Sequence, residues 1–502
     1  MAVYCRVMML PLFCIFGFLA LSPLYAEDAR PAEPEGTRTE CEVLWREEVP
    51  RFLDKAPDGS LARMDEMRSA DVAVARDGSV YLLCNIVSDS RLGPKIQTLL
   101  VKYDAEGERE WHRLLDENTS DIGHSIAVDP AGNVYFVGVS TRIDRGGTKR
   151  TWGIVASYNA RGRERWTYIE NGQSGTVPAR YQSLVVHGDS VYAVGSANGR
   201  VGPGARFDDT PGDAMVTRLR LNGRKQWTRP YQGESANWRT HGVGIAAMPD
   251  GRVCITGVQE YVANAGDRNP APSDSNCFVL CLDGEDGDPV WREVVEGGAV
   301  PAAHADQRLF SMGIDLATDS EGNLYLVGRN SMDRRAVPQD VRETLGTYVC
   351  KLTGRGEVLW SRHCPNASTS VWRGIRAARI RVDDAGRVWV AGTVAYGGTG
   401  NVGLLEYDSD GDLVNVLRYQ SPGFDRDGCF GFAFDSGRYN LLVAGASEQL
   451  PGRGDLLGDD DGGRGRARPR GRPREQPVQR EPRAPQYFVM RLPLLGEAAA
   501  GE

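Results

Sequence analysis

Among 502 residues there is no C-x-x-C pair, no apolar run beyond residue 26 long enough to cross a bilayer, and no excess of positive charge. Each shortage excludes a class. Without paired cysteines a metal-binding knuckle is not expected. Without about 20 consecutive apolar residues the body of the chain has no transmembrane helix. With 59 Lys and Arg against 67 Asp and Glu, a formal net charge of −8, the surface favours solubility over general nucleic-acid binding. Carboxylate-rich stretches such as Asp408-Ser-Asp-Gly-Asp412 and Asp283-Gly-Glu-Asp-Gly-Asp288 lack the downstream Glu of a calcium loop. They read as hairpin turns, and neither metal nor cofactor is expected.

The first 26 residues differ from the rest. Arg6 precedes the apolar run Val7 to Leu21, and Ser22-Pro-Leu-Tyr-Ala26 places a small residue before Glu27. That is the pattern of a secretory signal cleaved after Ala26; the alternative is an uncleaved anchor, for which the run is short. Export, to the periplasm or the cell exterior, is therefore expected, with residues 27–40 as a flexible lead. Eight cysteines would remain, at 41, 84, 254, 277, 281, 350, 364 and 429. An oxidising compartment permits disulfides, and their connectivity is open. Cys277 and Cys281 lie about 13 Å apart along one strand, too far for a bridge to each other. Most of the eight are expected to be small core residues.

What the chain has in abundance is repetition. Seven times between Asp71 and Gly445 an apolar run is followed by a tight turn carrying Asp and Gly, then by an apolar-aromatic run usually closing on Gly. Clear copies are Ile126-Ala-Val-Asp-Pro-Ala-Gly-Asn-Val-Tyr-Phe-Val-Gly138 and Leu316-Ala-Thr-Asp-Ser-Glu-Gly-Asn-Leu-Tyr-Leu-Val-Gly328. The closing positions are Cys84, Gly138, Gly195, Gly257, Gly328, Gly392 and Gly445, spaced 53 to 71 residues apart. A period of that size means stacked supersecondary units.

Six copies continue into a second hairpin whose turn holds a Gly and, four residues later, a Trp. Val101-Lys-Tyr-Asp-Ala-Glu-Gly-Glu-Arg-Glu-Trp111 is one, and Trp166, Trp227, Trp291 and Trp360 stand at the same place; the sixth copy has Asn415 instead. Two hairpins make a four-stranded antiparallel sheet, which must stack on neighbours to bury both faces, most economically in a closed ring. The seventh copy stops after its third strand. Its missing strand stands near the other end of the chain, in Cys41-Glu-Val-Leu-Trp-Arg-Glu-Glu48, whose Glu-Val-Leu-Trp is identical to residues 357–360. The expectation is an all-β, seven-bladed β-propeller over 41–496, closed by the N-terminal strand so that no open sheet edge is left. The six Trp, Trp45 included, are expected to be buried between blades.

One segment breaks the pattern. Residues 450–486, between the second and third strands of the last blade, carry eight arginines between Arg464 and Arg483, alternating with Gly and Pro, and almost no apolar residue. Such a composition does not fold. It reads as a solvated insertion or, alternatively, a cationic tether. Residues 497–502 form a tail.

Within each blade the first-to-second and third-to-fourth turns are short, whereas the other connections are long and share one face of the disc. The expected loops include 139–152, 196–213, 258–274 and 329–346, with linkers at 231–242, 296–312 and 363–376. Long loops on a rigid scaffold are where binding resides. The channel mouth on that face collects His124, Trp238, Arg239, His241, Arg308, Trp372, Arg373 and Arg376, groups suited to an anionic or planar ligand or, alternatively, to plugging the channel.

The repeat phrase resembles the bacterial secreted β-propeller repeat and its NHL-type relatives, and the Gly-x-x-x-Trp ending is similar to the tryptophan-docking motif of quinoprotein propellers. The resemblance implies the fold. Seven copies without a vicinal Cys-Cys depart from a quinone-dependent enzyme. Two functions stay open: an exported noncatalytic scaffold binding an envelope or extracellular protein or glycan through its long-loop face, as a monomer, or a lyase, hydrolase or oxidoreductase working at the channel mouth with His124 and His241.

Overall fold

The computed structural model describes residues 37–38, 43–48, 70–90, 93–115, 120–143, 149–170, 179–198, 212–233, 235, 237–261, 274–295, 309–332, 346–364, 372–396, 399–422, 426–435, 440–448 and 486–493. Every regular element among them is a strand. Seven antiparallel sheets follow one another along the chain, each with strands lettered here a to d from the inside outwards. The a strands are Ala70–Val74, Ser120–Val128, Ala179–His187, Trp238–Ala247, Leu309–Thr318, Trp372–Val382 and Arg426–Asp435. Each packs against the a strands of both neighbouring sheets, and the last returns to the first. The sheets are therefore seven blades of a closed propeller.

The apolar runs are continuous because each blade is covered on both faces. In Val80-Tyr-Leu-Leu-Cys84, on strand b of blade 1, Val80, Leu82 and Cys84 enter the core shared with blade 7, and Tyr81 and Leu83 enter the core shared with blade 2. The tight turns owe their shape to Asp and Gly. Asp129 Oδ1 accepts the amides of Ala131 and Asn133, while Gly132 takes a positive φ of 77°. Asp408 and Asp283 spend their carboxylates on turn amides in the same way.

The closing glycine has a different cause. In blades 2 to 7 strand a carries a bulge, such as that between Gly123 and Ser125, opposite the closing residue. The bulge presses a carbonyl of strand a against strand b. A Cβ on Gly138, Gly195 or Gly257 would come within 2.0, 1.8 or 1.8 Å of the oxygen of Ile122, Arg180 or His241. Only glycine leaves room there.

Closure occurs as the matching Glu-Val-Leu-Trp phrases imply. Trp45–Glu48 pairs with Gln486–Pro493 as strand d of blade 7, with Trp45 opposite Arg491 and Glu48 opposite Phe488. One short element lies within the lead 27–40, whose other residues are outside the described ones. Thr37–Arg38 adds a fifth, parallel strand to the outer edge of blade 6, at Val416 and Leu417.

The six tryptophans mark the blade junctions. Trp45, Trp111, Trp166, Trp227, Trp291 and Trp360 each lie over the positive-φ glycine of the next blade's c–d turn, respectively Gly107, Gly162, Gly223, Gly287, Gly356 and Gly411. Each indole N–H donates to a carbonyl two residues before that glycine, at 2.8 to 3.2 Å. They are half-buried rather than fully buried, because strand d is the outer edge of its blade and one ring edge meets solvent.

Candidate functional site

The long connections do share one face, but strands b and c run further into them than the sequence implies. Val134–Ile143 and Lys149–Tyr158 take up most of 139–152, and Leu324–Met332 and Gly346–Leu352 trim 329–346 from both ends. Strand pairing extends wherever backbone partners remain in reach. The same correction moves the candidates off the linkers. Trp238, Arg239 and His241 stand on strand a of blade 4, Trp372, Arg373 and Arg376 on strand a of blade 6, and His124 on strand a of blade 2. Arg308 and the insertion 450–485 lie outside the described residues, as do the side chains of Trp372 and Arg373.

Alignment on the closing residue shows what these positions share. His241 pairs with Val258 and Arg376 with Thr393, the residue just after the closing Gly in each case; Arg180 pairs with Ser196 at the equivalent place in blade 3. The same ring position thus holds a basic residue in blades 3, 4 and 6. Arg180 is not among the residues that the linker pattern singles out, although counting back from Gly195 would have found it.

Around His241 the structure is dense. Its Nδ1 lies 3.3 Å from Ser196 Oγ on the neighbouring blade, and its Nε2 lies 3.8 Å from Glu260 Oε2. Burial and the charge of Arg239 pull the His241 pKa down to about 4, so the imidazole is neutral at physiological pH. Glu260 is raised by burial against the pull of Arg239, and Arg239 is lowered by burial against the pull of Glu260. The Arg239 Nε and Nη2 have no hydrogen-bond partner among the described residues. Trp238 packs on Tyr261 with ring centroids 5.3 Å apart. Two blades away, burial and Arg329 lower Arg376 to about 10. Arg239 and His241 sit where charge is disfavoured, whereas Arg376 is exposed.

His124 behaves differently. It is the bulged residue of blade 2, and its Nδ1–H donates to the Tyr181 carbonyl at 2.6 Å. Burial lowers its pKa, opposed by that hydrogen bond and reinforced by Arg180 and Arg379. It is a neutral structural link between two a strands.

The channel waist is built from residues outside the repeat signature. The position opposite the residue before the closing Gly holds Asp71, Ser125, Ser183, Gly244, Asp315, Arg379 and Gly431 in blades 1 to 7. Arg379 of blade 6 reaches past blade 7 to Asp71 of blade 1, Nη2 to Oδ2 at 3.2 Å, and Asp71 also accepts from Ser125 Oγ at 2.8 Å. Asp315 takes Arg381 Nη1 at 2.8 Å. Burial opposes the charge on Arg379, but Asp71 and Asp315 outweigh it and raise its pKa. The ion pairs tie blades 1, 5 and 6 together.

The other face carries the tight turns and a cleft of about 430 Å³ between blades 4 and 5, lined by Met248, Asp250, Arg252, Glu321, Thr353 and Glu357 among others. On the rim, the pair before the docking position is Val290 after a proline in blade 4, Val358-Leu359 in blade 5, Leu413-Val414 in blade 6 and Leu44 after a valine in blade 7, all exposed. Blades 1 to 3 have charged or polar pairs there, Arg109-Glu110, Glu164-Arg165 and Lys225-Gln226. The seven described cysteines, from Cys84 to Cys429, are free thiols and buried.

The architecture and its repeat define a seven-bladed β-propeller of four-stranded blades. A family model described as Beta-propeller repeat matches residues 110–142, which span the end of blade 1 and the first hairpin of blade 2. Among curated proteins, an uncharacterized WD repeat-containing protein of Acanthamoeba polyphaga mimivirus is 22% identical over 288 residues, covering 46% of this chain and 21% of its own length. The chain thus spans about a fifth of that relative. Solved structures with a similar course include the polysaccharide lyase Uly1, at 10% identity and a TM-score of 0.46 over 89% of this chain and 96% of that one. A protein of unknown function from Dyadobacter fermentans aligns at 12% identity and 0.41 over 68% and 95%. The β-propeller domain of the Trilobed protease from Pyrococcus furiosus aligns at 11% and 0.39 over 76% and 90%.

Proposed function

We propose that this protein is an exported, noncatalytic propeller scaffold that binds a protein or glycan partner through its long-loop face, placing an acidic group of that partner at the channel mouth. The carrying observation is Arg239 itself. Two of its guanidinium nitrogens are buried without a hydrogen-bond partner among the described residues, and burial disfavours the charge of Arg239 and of His241. A carboxylate or sulfate docked there supplies both acceptors and countercharge. Trp238 and Tyr261 add a stacking surface, and Trp and Arg are the residues most often found as binding hot spots.

The enzyme reading rests on His241 and Glu260, 3.8 Å apart. Burial lowers the His241 pKa to about 4, so the imidazole is poorly matched to accept a proton near neutral pH. The test is capture from envelope extract, with acidic oligosaccharides titrated in parallel, using immobilised full-length protein. Trp238→Ala and Arg239→Ala should weaken capture about tenfold or more with little change in melting temperature. Glu108→Ala and Arg163→Ala, in c–d turns on the opposite face, should not. Loss of capture in the turn variants with retention in the mouth variants would move the site to the other side of the disc.

A further inference from the structure

The core between blades 4 and 5 is unusually rich in sulfur. Of the seven described cysteines, four, Cys254, Cys277, Cys281 and Cys350, fall in this one core together with Met248. Cys254 on strand b and Cys281 on strand c stand directly opposite each other, so their side chains leave the sheet on the same face. Both converge on Met248, with Cys254 Sγ 3.4 Å and Cys281 Sγ 3.9 Å from its Sδ. The Arg252 guanidinium completes the group, Nη1 lying 4.0 Å from Cys281 Sγ, and is held in place by Asp250 and the Gly354 carbonyl.

We propose that Met248, Cys254 and Cys281 form a three-sulfur site for a soft monovalent cation, Cu(I). Two thiolates and a thioether are the donors that select this ion over hard, oxygen-liganded cations. A metal about 2.3 Å from each of three sulfurs in a trigonal plane keeps them about 4 Å apart. The sulfurs of Met248 and Cys281 already stand at that separation, at 3.9 Å, and those of Met248 and Cys254 are somewhat closer, at 3.4 Å. Binding forms one bond to each sulfur and releases the two thiol protons, with no change of oxidation state. The resulting single negative charge faces Arg252.

A route to the site exists as well. Met248 and Arg252 both line the 430 Å³ cleft on the tight-turn face, so the thioether lies between the cleft and the two thiols. A Cβ on Gly354 would come within 3.0 Å of the Met248 methyl, which places that methyl against the cleft wall. Ordinary core packing requires sulfur-sized side chains here but gives no reason for three of them to meet beside a guanidinium.

The experiment is a titration of the full-length reduced protein with Cu(I) in the absence of oxygen, against a chromophoric Cu(I) chelator. One ion per chain should be retained, with three sulfurs in its X-ray absorption shell and a raised melting temperature. Met248→Leu conserves volume and should weaken retention at least about tenfold, the size of loss that even an outer-shell change produces. Cys281→Ser should abolish retention; Cys364→Ser, in the core between blades 5 and 6, should leave it intact. Absence of retention in the unmodified protein overturns the site, and so does retention by Met248→Leu or Cys281→Ser equal to that of the unmodified protein. Should Cys281→Ser fail to fold, Met248→Leu alone decides.

Discussion

Six of the seven blade junctions are docked by a tryptophan, and the seventh, between blades 6 and 7, is not. The difference follows from where the chain begins and ends. A docking indole needs the glycine of the next blade's c–d turn, and blade 7 has no such turn, because its strands c and d come from opposite ends of the described chain. A tryptophan at position 415 would have nothing to sit on. The residue there is Asn415, which donates instead to Glu406 within its own blade. A tryptophan is found two strands inward. Trp389 stands on strand b where blades 1, 2, 3 and 5 carry Tyr81, Tyr135, Tyr192 and Tyr325, and it is one of the largest fully buried side chains in the core.

The undocked junction is held by other means. Thr37–Arg38 pairs with the edge of blade 6, and a few residues later Trp45–Glu48 pairs with the edge of blade 7, so the chain itself straps the seam. Arg46 reaches Ser421, just past strand d of blade 6, at 3.2 Å, and Ser447 within its own blade at 3.3 Å. Covalent continuity replaces the side-chain dock at the one place where the ring is cut.

The largest expected effect comes from cutting that strap. Deletion of residues 41–48 exposes the edge of Gln486–Pro493 and opens the core that holds Phe488 and Met490, and should abolish cooperative thermal unfolding. Deletion of residues 37–38 alone, which removes only the fifth strand of blade 6, should cost about 1 kcal/mol or less and lower the melting temperature by about one degree for a chain of this size. Equal losses from the two deletions would break the distinction between closing strand and strap.

A middle-sized effect tests the docks. Trp111→Ala should cost about 3 kcal/mol, the lower end for a tryptophan because the ring is half-buried. Asn415→Trp should change stability by less than about 0.5 kcal/mol, since no acceptor glycine awaits it. Two glycines separate backbone strain from docking. Gly162 and Gly386 both have φ of 72–77°, yet a Cβ on Gly162 would meet Trp111 at 2.8 Å whereas nothing lies within 4 Å of one on Gly386. Each Gly→Ala change should cost about 1–2 kcal/mol for the left-handed backbone, and Gly162→Ala should cost more by the weakened dock. Chemical denaturation of the four variants measures all of these terms, and a stabilising Asn415→Trp would sink the explanation of the seam.

The smallest effect separates the junctions from the mouth. Indole and glycine do not titrate, but His241, wedged between blades 3 and 4, does. Its pKa in the folded protein is about 4, below the ordinary value near 6.5, so the unfolded chain takes up a proton that the folded protein refuses. The stability provided by this group is whole above pH about 6.5 and is lost progressively as pH falls toward 4. His241→Gln should flatten the fall in stability over that range by at most one proton's worth, about 1.4 kcal/mol per pH unit. An unchanged slope would place the imidazole in solvent.

Much of the fold is legible from one-dimensional spacing. Turn glycines, docking tryptophans and the copied Glu-Val-Leu-Trp phrase each depend on contacts inside a repeat or between adjacent repeats, and such contacts leave a fixed interval in the chain. That is why blade number, closing strand and the anomaly at Asn415 can all be counted along the sequence. Tertiary structure alone decided what lies on the axis and between blades 4 and 5. Asp71 and Arg379 stand 308 residues apart and meet only because the ring closes. Met248, Cys254 and Cys281 have no motif spacing, and their sulfurs converge because a cross-strand register and a turn place them on one face. Interactions of that kind depend on the rotation of one blade against another, a quantity no local interval encodes.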